Sequence, residues 1–224
     1  PVAPGDGAYG LRFANRTGSE RAYLAVAPAR AKAPAALTAG RPFRLADAAN
    51  GADYLLVAPP SLAAAAESLA AYRRARGIDT MVVALEDVYD EFGWGLATPL
   101  ALKDFLAHAS ASWSRPPQYV TLVGRGTFDY KDAQGVGDNL TPTLLAGTPY
   151  GLVASDVSYA PLSSTAARAL KGIGRLPVLT SQELLDYLAK VQVHESAPPA
   201  SWQSQLLLTA DDADVGGAFP ADSD

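Results

Sequence analysis

The side chains able to do chemistry gather in one stretch of this sequence. Gly124-Arg125-Gly126 ends an apolar run, and Asp129, Asp132, Asp138 and Asp156 follow it. Carboxylates presented by loops are the hard oxygen ligands that Ca²⁺ takes, although their spacing matches no EF-hand. The same residues are also the usual turn aspartates, whose carboxylates accept hydrogen bonds from nearby backbone N–H groups. Glycines after a strand suggest a phosphate loop. That site needs a helix directly after the glycines, and Phe128-Asp-Tyr-Lys-Asp132 reads as loop.

His108 falls off the apolar stripe of its helix and is expected in solvent. His194 sits at a helix end beside Glu195, where an imidazolium suits the helix dipole. Ser155 and Asp156 are adjacent, but no histidine can be placed beside them, and no Gly-x-Ser-x-Gly elbow occurs. A second acidic cluster, Asp211, Asp212 and Asp214, reads as a turn at a strand end before it reads as an ion site.

The elements that must position these residues begin at Asp53. Tyr54-Leu-Leu-Val-Ala58, Thr80-Met-Val-Val-Ala-Leu85 and Tyr119-Val-Thr-Leu-Val123 are apolar runs without polar alternation, the mark of strands buried on both faces. Between the first two lies a helix from Leu62 to Arg76, with Ser61 as its expected cap and Gly77 as its stop. Between the second and third lie a short acidic helix, Glu86 to Phe92, and a longer one from Pro99 to Trp113, capped by Thr98. This β-α-β-α-β rhythm predicts an α/β fold, a doubly wound, mostly parallel sheet flanked by helices with right-handed crossovers.

A loop is expected from Gly124 to Gly151, too long for an idle connection. A strand around Gly172–Leu176, a helix from Ser181 to about His194 capped by Thr180, and a last apolar strand, Gln205–Ala210, complete the pattern. Residues 1–52 read differently. One strand, Arg21–Ala27, sits among Gly, Pro and Ala, and Pro28–Pro42 is linker-like, as at the end of a preceding β-rich domain. The expected organisation is 1–52 as that short β-rich segment with its connection, 53–202 as the first α/β subdomain, and 203–224 as the first strand of a second, incomplete one.

The totals narrow the function. A chain of 224 residues, 49% hydrophobic and 18% charged, is globular in composition. A net charge of −5 without a Lys/Arg cluster argues against nucleic acid as a partner. No apolar run approaches a membrane span. The absence of cysteine excludes disulfides, thiolate metal sites and a cysteine nucleophile within these residues. The start at Pro1-Val-Ala-Pro4 without methionine reads as a piece of a longer precursor, and the end at Asp224 as a cut inside a domain.

Several short segments, taken in order, resemble the gingipain-type cysteine peptidases, relatives of the caspases. They are Ala52-Asp-Tyr-Leu-Leu-Val-Ala-Pro-Pro60, Leu69-Ala-Ala-Tyr-Arg-Arg-Ala-Arg-Gly77, Leu85-Glu-Asp-Val-Tyr-Asp-Glu-Phe92 and Tyr119-Val-Thr-Leu-Val-Gly124. Thr148-Pro-Tyr-Gly151, Ala154-Ser-Asp156, Ile173-Gly-Arg-Leu-Pro177 and Trp202 continue the series. The resemblance implies a caspase-like architecture of which this chain holds the first, non-catalytic subdomain. The catalytic His and Cys would lie beyond Asp224. Its partners would then be the remainder of its own peptidase domain, a polypeptide substrate, and an assembly partner at the envelope of a bacterium, in a secreted or envelope location.

In Arg-specific members a carboxylate near Asp224 lines the primary specificity pocket, so Asp224 is the candidate substrate-binding residue; an N-cap role opening the next helix is the other reading. No cofactor is required, and a structural Ca²⁺ on Asp129, Asp132, Asp138 and Asp156 is the candidate ion site. Two departures stand out. Family members often have Gly-Asp-Gly where this chain has Gly124-Arg125-Gly126. They often have an Asp- and Gly-rich loop where it has Pro161-Leu-Ser-Ser-Thr-Ala-Ala-Arg-Ala-Leu170. Both changes remove carboxylates, and a non-catalytic, peptidase-like module is the alternative they favour.

Overall fold

The structure is a computed structural model and describes residues 26, 27, 31–33, 44–149, 151–160 and 172–205. The expected strands at Arg21–Ala27 and Gln205–Ala210, and the residues Asp211, Asp212, Asp214 and Asp224, lie wholly or largely outside the described residues. The chain divides into two units, residues 1–39 and 40–224. In the first, the described feature is a hydrogen bond from Ala31 N to Ala27 O, 3.1 Å.

The second unit is built on four parallel strands in the order β2-β1-β3-β6. These are β1 (Tyr54–Ala58), β2 (Thr80–Ala84), β3 (Tyr119–Val123) and β6 (Gly172–Leu176). Leu56 lies beside Val82 on one side and Thr121 on the other, and Val120 lies beside Ile173. The central strands are sequestered on both faces: Leu55, Leu56, Val57 and Leu122 have no exposed surface. That is why their sequences do not alternate.

One face carries α1 (Ala63–Ala75) and α4 (Ser181–Ser196), and the other α2 (Leu85–Phe92) and α3 (Pro99–Ser112). The α1 face is filled by small residues, Ala65, Ala66 and Ala70, around Leu69, with Leu184 and Leu188 of α4. The α3 face is aromatic. Phe105 is fully buried, its ring 5.5 Å from Phe92 and 5.8 Å, edge-on, from Trp113. Such tilted pairs suit the ring quadrupoles.

Helix ends follow the sequence in most places. Thr98 accepts from Leu100 N at 3.3 Å, and Thr180 accepts from Glu183 N at 3.2 Å. Gly77, at φ 80°, ends the α1 region. Ser61 is not the cap that was expected. Pro60 fixes a 3-10 turn over Pro60–Leu62, so α1 starts at Ala63, and the Ser61 carbonyl accepts from Ser181 Oγ of α4 at 3.0 Å instead.

The stretch ahead of Asp53 also differs from a plain connection. Leu45 is fully buried in the α3-face core, and its carbonyl accepts from Trp113 Nε1 at 2.8 Å. Glu91 of α2 accepts from Leu45 N and Ala46 N at 2.8 and 2.9 Å. A single leucine among polar and small residues has no period, so nothing local marks it as part of the core. His108, expected in solvent, is half-buried. Its Nε2 hydrogen-bonds Ala46 O at 3.0 Å and its ring lies 5.5 Å from Phe92.

Two measurements check this packing. Phe105→Ala is expected to cost about 3–5 kcal/mol in urea unfolding, because both the apolar transfer and a cavity between two rings are lost. At the α1–α4 contact, Arg73 donates to Glu195 at 2.6 Å, Tyr72 donates to it at 2.9 Å, and Arg76 lies at 3.3 Å. The Arg73 hydrogen bond leads in holding the Glu195 carboxyl below its usual range. A lowered folded pKa stabilises above the ordinary carboxylate value, and the gain is lost as pH falls through the lowered one. Glu195→Gln is therefore expected to flatten that part of the acid limb in a Tm-against-pH series.

Candidate functional site

In an open α/β sheet, ligands bind outside the carboxyl ends of the strands, where the connections diverge to opposite faces. Here that point lies between β1, followed by α1, and β3. It is plugged. Leu62 and Gly124 are both buried, and a Cβ on Gly124 would lie 3.6 Å from Leu62 Cδ1, 3.0 Å from Leu140 Cβ and 3.1 Å from Thr141 Oγ1. Gly124 also has φ 113°. Thr141 Oγ1 donates to Val123 O at 2.6 Å and closes the strand end. No helix follows Gly126, so neither the space nor the dipole of a nucleotide site is present.

The segment after β3 is held instead by Arg175 of β6. Its Nε and Nη2 donate to Asp156 Oδ2 and Oδ1 at 2.7 and 2.8 Å. Nη1 donates to Gly124 O at 2.7 Å and Thr141 O at 2.6 Å, and Nη2 to Pro142 O at 3.1 Å. Arg175 is 12% exposed and Asp156 24%, so the pair is largely out of water. All five donors of the planar fork are used, which an ammonium could not do.

Two phenols complete the brace. Buried Tyr159 donates to Pro142 O at 2.8 Å, and Tyr130 donates to Thr143 O at 2.5 Å. Burial raises both phenol pKa values and keeps them as donors. Gly126 is required here, because a Cβ would come within 2.6 Å of Thr141 O and 3.1 Å of Arg175 Nη1.

The expected long loop contains a hairpin, β4 (Leu145–Thr148) antiparallel to β5 (Gly151–Ala154), and Asp156–Tyr159 forms a 3-10 turn. The strands are four residues each and carry Gly147 and Gly151, too short and too broken for a period of two to show in the sequence.

The four candidate aspartates are not brought together as one ligand set. Asp129 accepts from Ala133 N and Gln134 N at 2.9 and 2.5 Å. Asp132, at φ 51°, accepts from Gly137 N at 2.8 Å. Asp156 is committed to Arg175, and Asp138 is exposed. Among the described residues no group of three or more His, Cys, Asp and Glu side chains is arranged to hold a metal. The donor set thus does not fit a Ca²⁺ ion: Asp129 and Asp132 hold backbone N–H groups, Asp156 holds a guanidinium, and no three of the four form a group. Ser155 pairs with Ser158 at 2.8 Å, and His194 lies against Trp202 at 5.6 Å, so neither builds a nucleophile–base pair.

Two cavities lined by described residues lie at opposite ends of the sheet. The larger, about 560 Å³, lies at the amino ends of the strands, with Tyr54, Arg73, Tyr119, Thr121 and Gly174 in its lining. Its polar groups already satisfy one another or a helix: Tyr54 and Thr121 share a 2.7 Å hydrogen bond and Arg73 is held by Glu195. Size alone therefore does not make it the chemical site. The smaller, about 260 Å³, lies at the carboxyl end and is lined by Arg125, Phe128, Val136, Leu145 and Leu152 among others.

Residues 47–223 match peptidase family C25. The chain belongs to this family. In fold it is similar to the crystal structure of dimeric latent PorU from Porphyromonas gingivalis, with a TM-score of 0.53 at 22% identity. That match covers 65% of this chain and 16% of the PorU chain, so the chain spans a small part of that protein's length. No protein of curated function matches the sequence. The parallel sheet with helices on both faces is the caspase-like architecture expected of a C25 domain. No helix among the described residues is long and apolar enough to cross a membrane.

Arg175→Met is expected to destabilise the C25 fold by about 3 kcal/mol, since it leaves Asp156 as an uncompensated, largely buried charge. Arg175→Lys recovers only part of that, because one ammonium cannot span the four acceptor residues; parallel denaturant melts of the two variants check the difference. Adding or chelating Ca²⁺ is expected to leave the Tm of this chain unchanged.

Proposed function

We propose that this chain is the scaffold-bearing first portion of a gingipain-like cysteine endopeptidase domain, with the thiolate nucleophile and its histidine supplied by residues outside it. One observation carries the reading: a chain matched to a cysteine-peptidase family over residues 47–223 has no cysteine. In the assembled domain a thiolate attacks the scissile carbonyl and an imidazolium protonates the leaving amine. The loop pinned by Arg175 braces the neighbouring catalytic part, and Asp224 supplies a carboxylate to the pocket that receives the residue before the scissile bond. A secreted or envelope location in a bacterium goes with this reading, as does the remainder of the domain as obligate partner.

A second reading is a peptidase-like module without catalysis, serving as a structural or partner-binding part of an envelope assembly. The observation that favours it is Arg125, a cation where the resemblance led to a carboxylate.

The chain alone is expected to show no turnover of Arg- or Lys-containing peptide substrates and no labelling by an active-site thiol reagent. Turnover that survives thorough purification would overturn the scaffold reading. Joined to the residues that follow it in its own protein, the chain is expected to gain thiol-sensitive cleavage under the first reading and none under the second.

A further inference from the structure

The feature left over by the brace is Arg125. Its backbone is fixed: its N–H donates to Val178 O at 3.1 Å, and its carbonyl accepts from Leu140 N and Thr141 N at 2.9 and 3.1 Å. Its side chain is half-buried on the wall of the 260 Å³ cleft, and no carboxylate among the described residues pairs with it. Arg175, the other described arginine between β3 and α4, saturates its fork. The rest of the lining includes apolar side chains open to water: Phe128 is 53% exposed and Leu152 71%, and Leu145 lines the cleft too. The nearby polar side chains are already spent, Thr127 on Asp129 O and Thr143 on Asp156.

A guanidinium beside apolar walls gains more from a partner charge than one in bulk water, because the walls lower the local dielectric. It presents a planar fork suited to a carboxylate. A single cation is a poor match for a dianionic phosphate, and the apolar walls suit the methylene groups of the residue that carries the acid. The volume is that of about one residue, below the range for a drug-sized ligand.

The hairpin adds a second element. All four residues of β5 are exposed, and among the described residues β5 pairs only with β4. Among the described residues nothing pairs with its other edge, which an extended segment could join, the mode by which a peptide adds a strand. Leu152 and Ala154 of β5 line the same cleft.

We propose that the cleft between Arg125 and the β4–β5 hairpin binds one carboxylate-bearing residue of an extended peptide, with Arg125 as its charge partner and β5 as its backbone template. The site needs no nucleophile, so it does not rest on the peptidase reading.

The test uses the full chain and fluorescent pentapeptides of Val and Thr, acetylated and amidated, with a central Glu or Gln, followed by anisotropy. A third peptide carries the central Gln and a free terminal carboxylate. The Glu peptide is expected to bind about tenfold tighter than the Gln amide, the worth of one charge-assisted hydrogen-bonded pair, and the free-terminus peptide no tighter than the amide. A gain by the free-terminus peptide alone would overturn the side-chain assignment. Arg125→Gln is expected to abolish that difference with an unchanged Tm. Arg125→Lys is expected to keep part of it, and Leu152→Ala to weaken all three peptides together.

Equal binding of the three peptides, or a preference that survives Arg125→Gln, would overturn the proposal. So would displacement of the Glu peptide by inorganic phosphate at the concentration at which acetate displaces it, which would make the cleft a general anion site. Should Arg125→Gln fail to fold, the Arg125→Lys series and the three-peptide comparison on the unaltered chain still decide it. None of these outcomes depends on turnover.

Discussion

One guanidinium organises the carboxyl end of this sheet. Arg175 reaches from β6 to the carbonyls of Gly124, Thr141 and Pro142 and to the carboxylate of Asp156, so four separate points of the chain after β3 meet on one planar group. Buried carbonyls at a loop are costly without donors, and here a single side chain supplies them. Gly124 and Gly126 are glycines because the backbone must come this close. Tyr159 is buried because its hydroxyl serves the same carbonyl, that of Pro142. A site for a nucleotide or a metal is absent from these described residues for a related reason: the groups that would have made one are used to hold the loop.

The sheet was legible in the sequence because its signals are local. Apolar runs at Tyr54–Ala58, Thr80–Ala84 and Tyr119–Val123, glycine at 77, and threonine caps at 98 and 180 each act within a few residues of themselves. The parts that were not legible depend on distant partners. Leu45 joins the core through Trp113, 68 positions away. His108 is taken out of solvent by Ala46 O and Phe92, neither of them on its own helix. The hairpin strands are too short to carry a period.

The aspartates show the same division. Their position after a strand was right for loop carboxylates, but whether a carboxylate meets an ion or a backbone N–H is decided by geometry four or five residues away. Asp129 and Asp132 accept from backbone amides four and five residues on. The one sign of Arg175's role in the sequence was a cation inside an otherwise small and apolar strand, Gly172-Ile-Gly-Arg-Leu176. A charge in such a place must be satisfied, and its partner is Asp156, a carboxylate whose place in the loop equally suits an ion ligand.

The brace also orders events in time. Its donor lies on β6 and its acceptors lie between Gly124 and Asp156, so the loop cannot reach its final form until β6 has docked beside β3. The first three strands and their helices pair among themselves without it, β1 meeting β3 across 65 positions from Tyr54 to Tyr119. The pin joins residues 51 positions apart at its widest, all of them carboxyl-terminal to the first two strands. A chain emerging from the ribosome would thus expose the stretch from Gly124 to Asp156 as unfinished backbone until Arg175 arrives. That makes this one side chain the latch of the carboxyl end of the sheet.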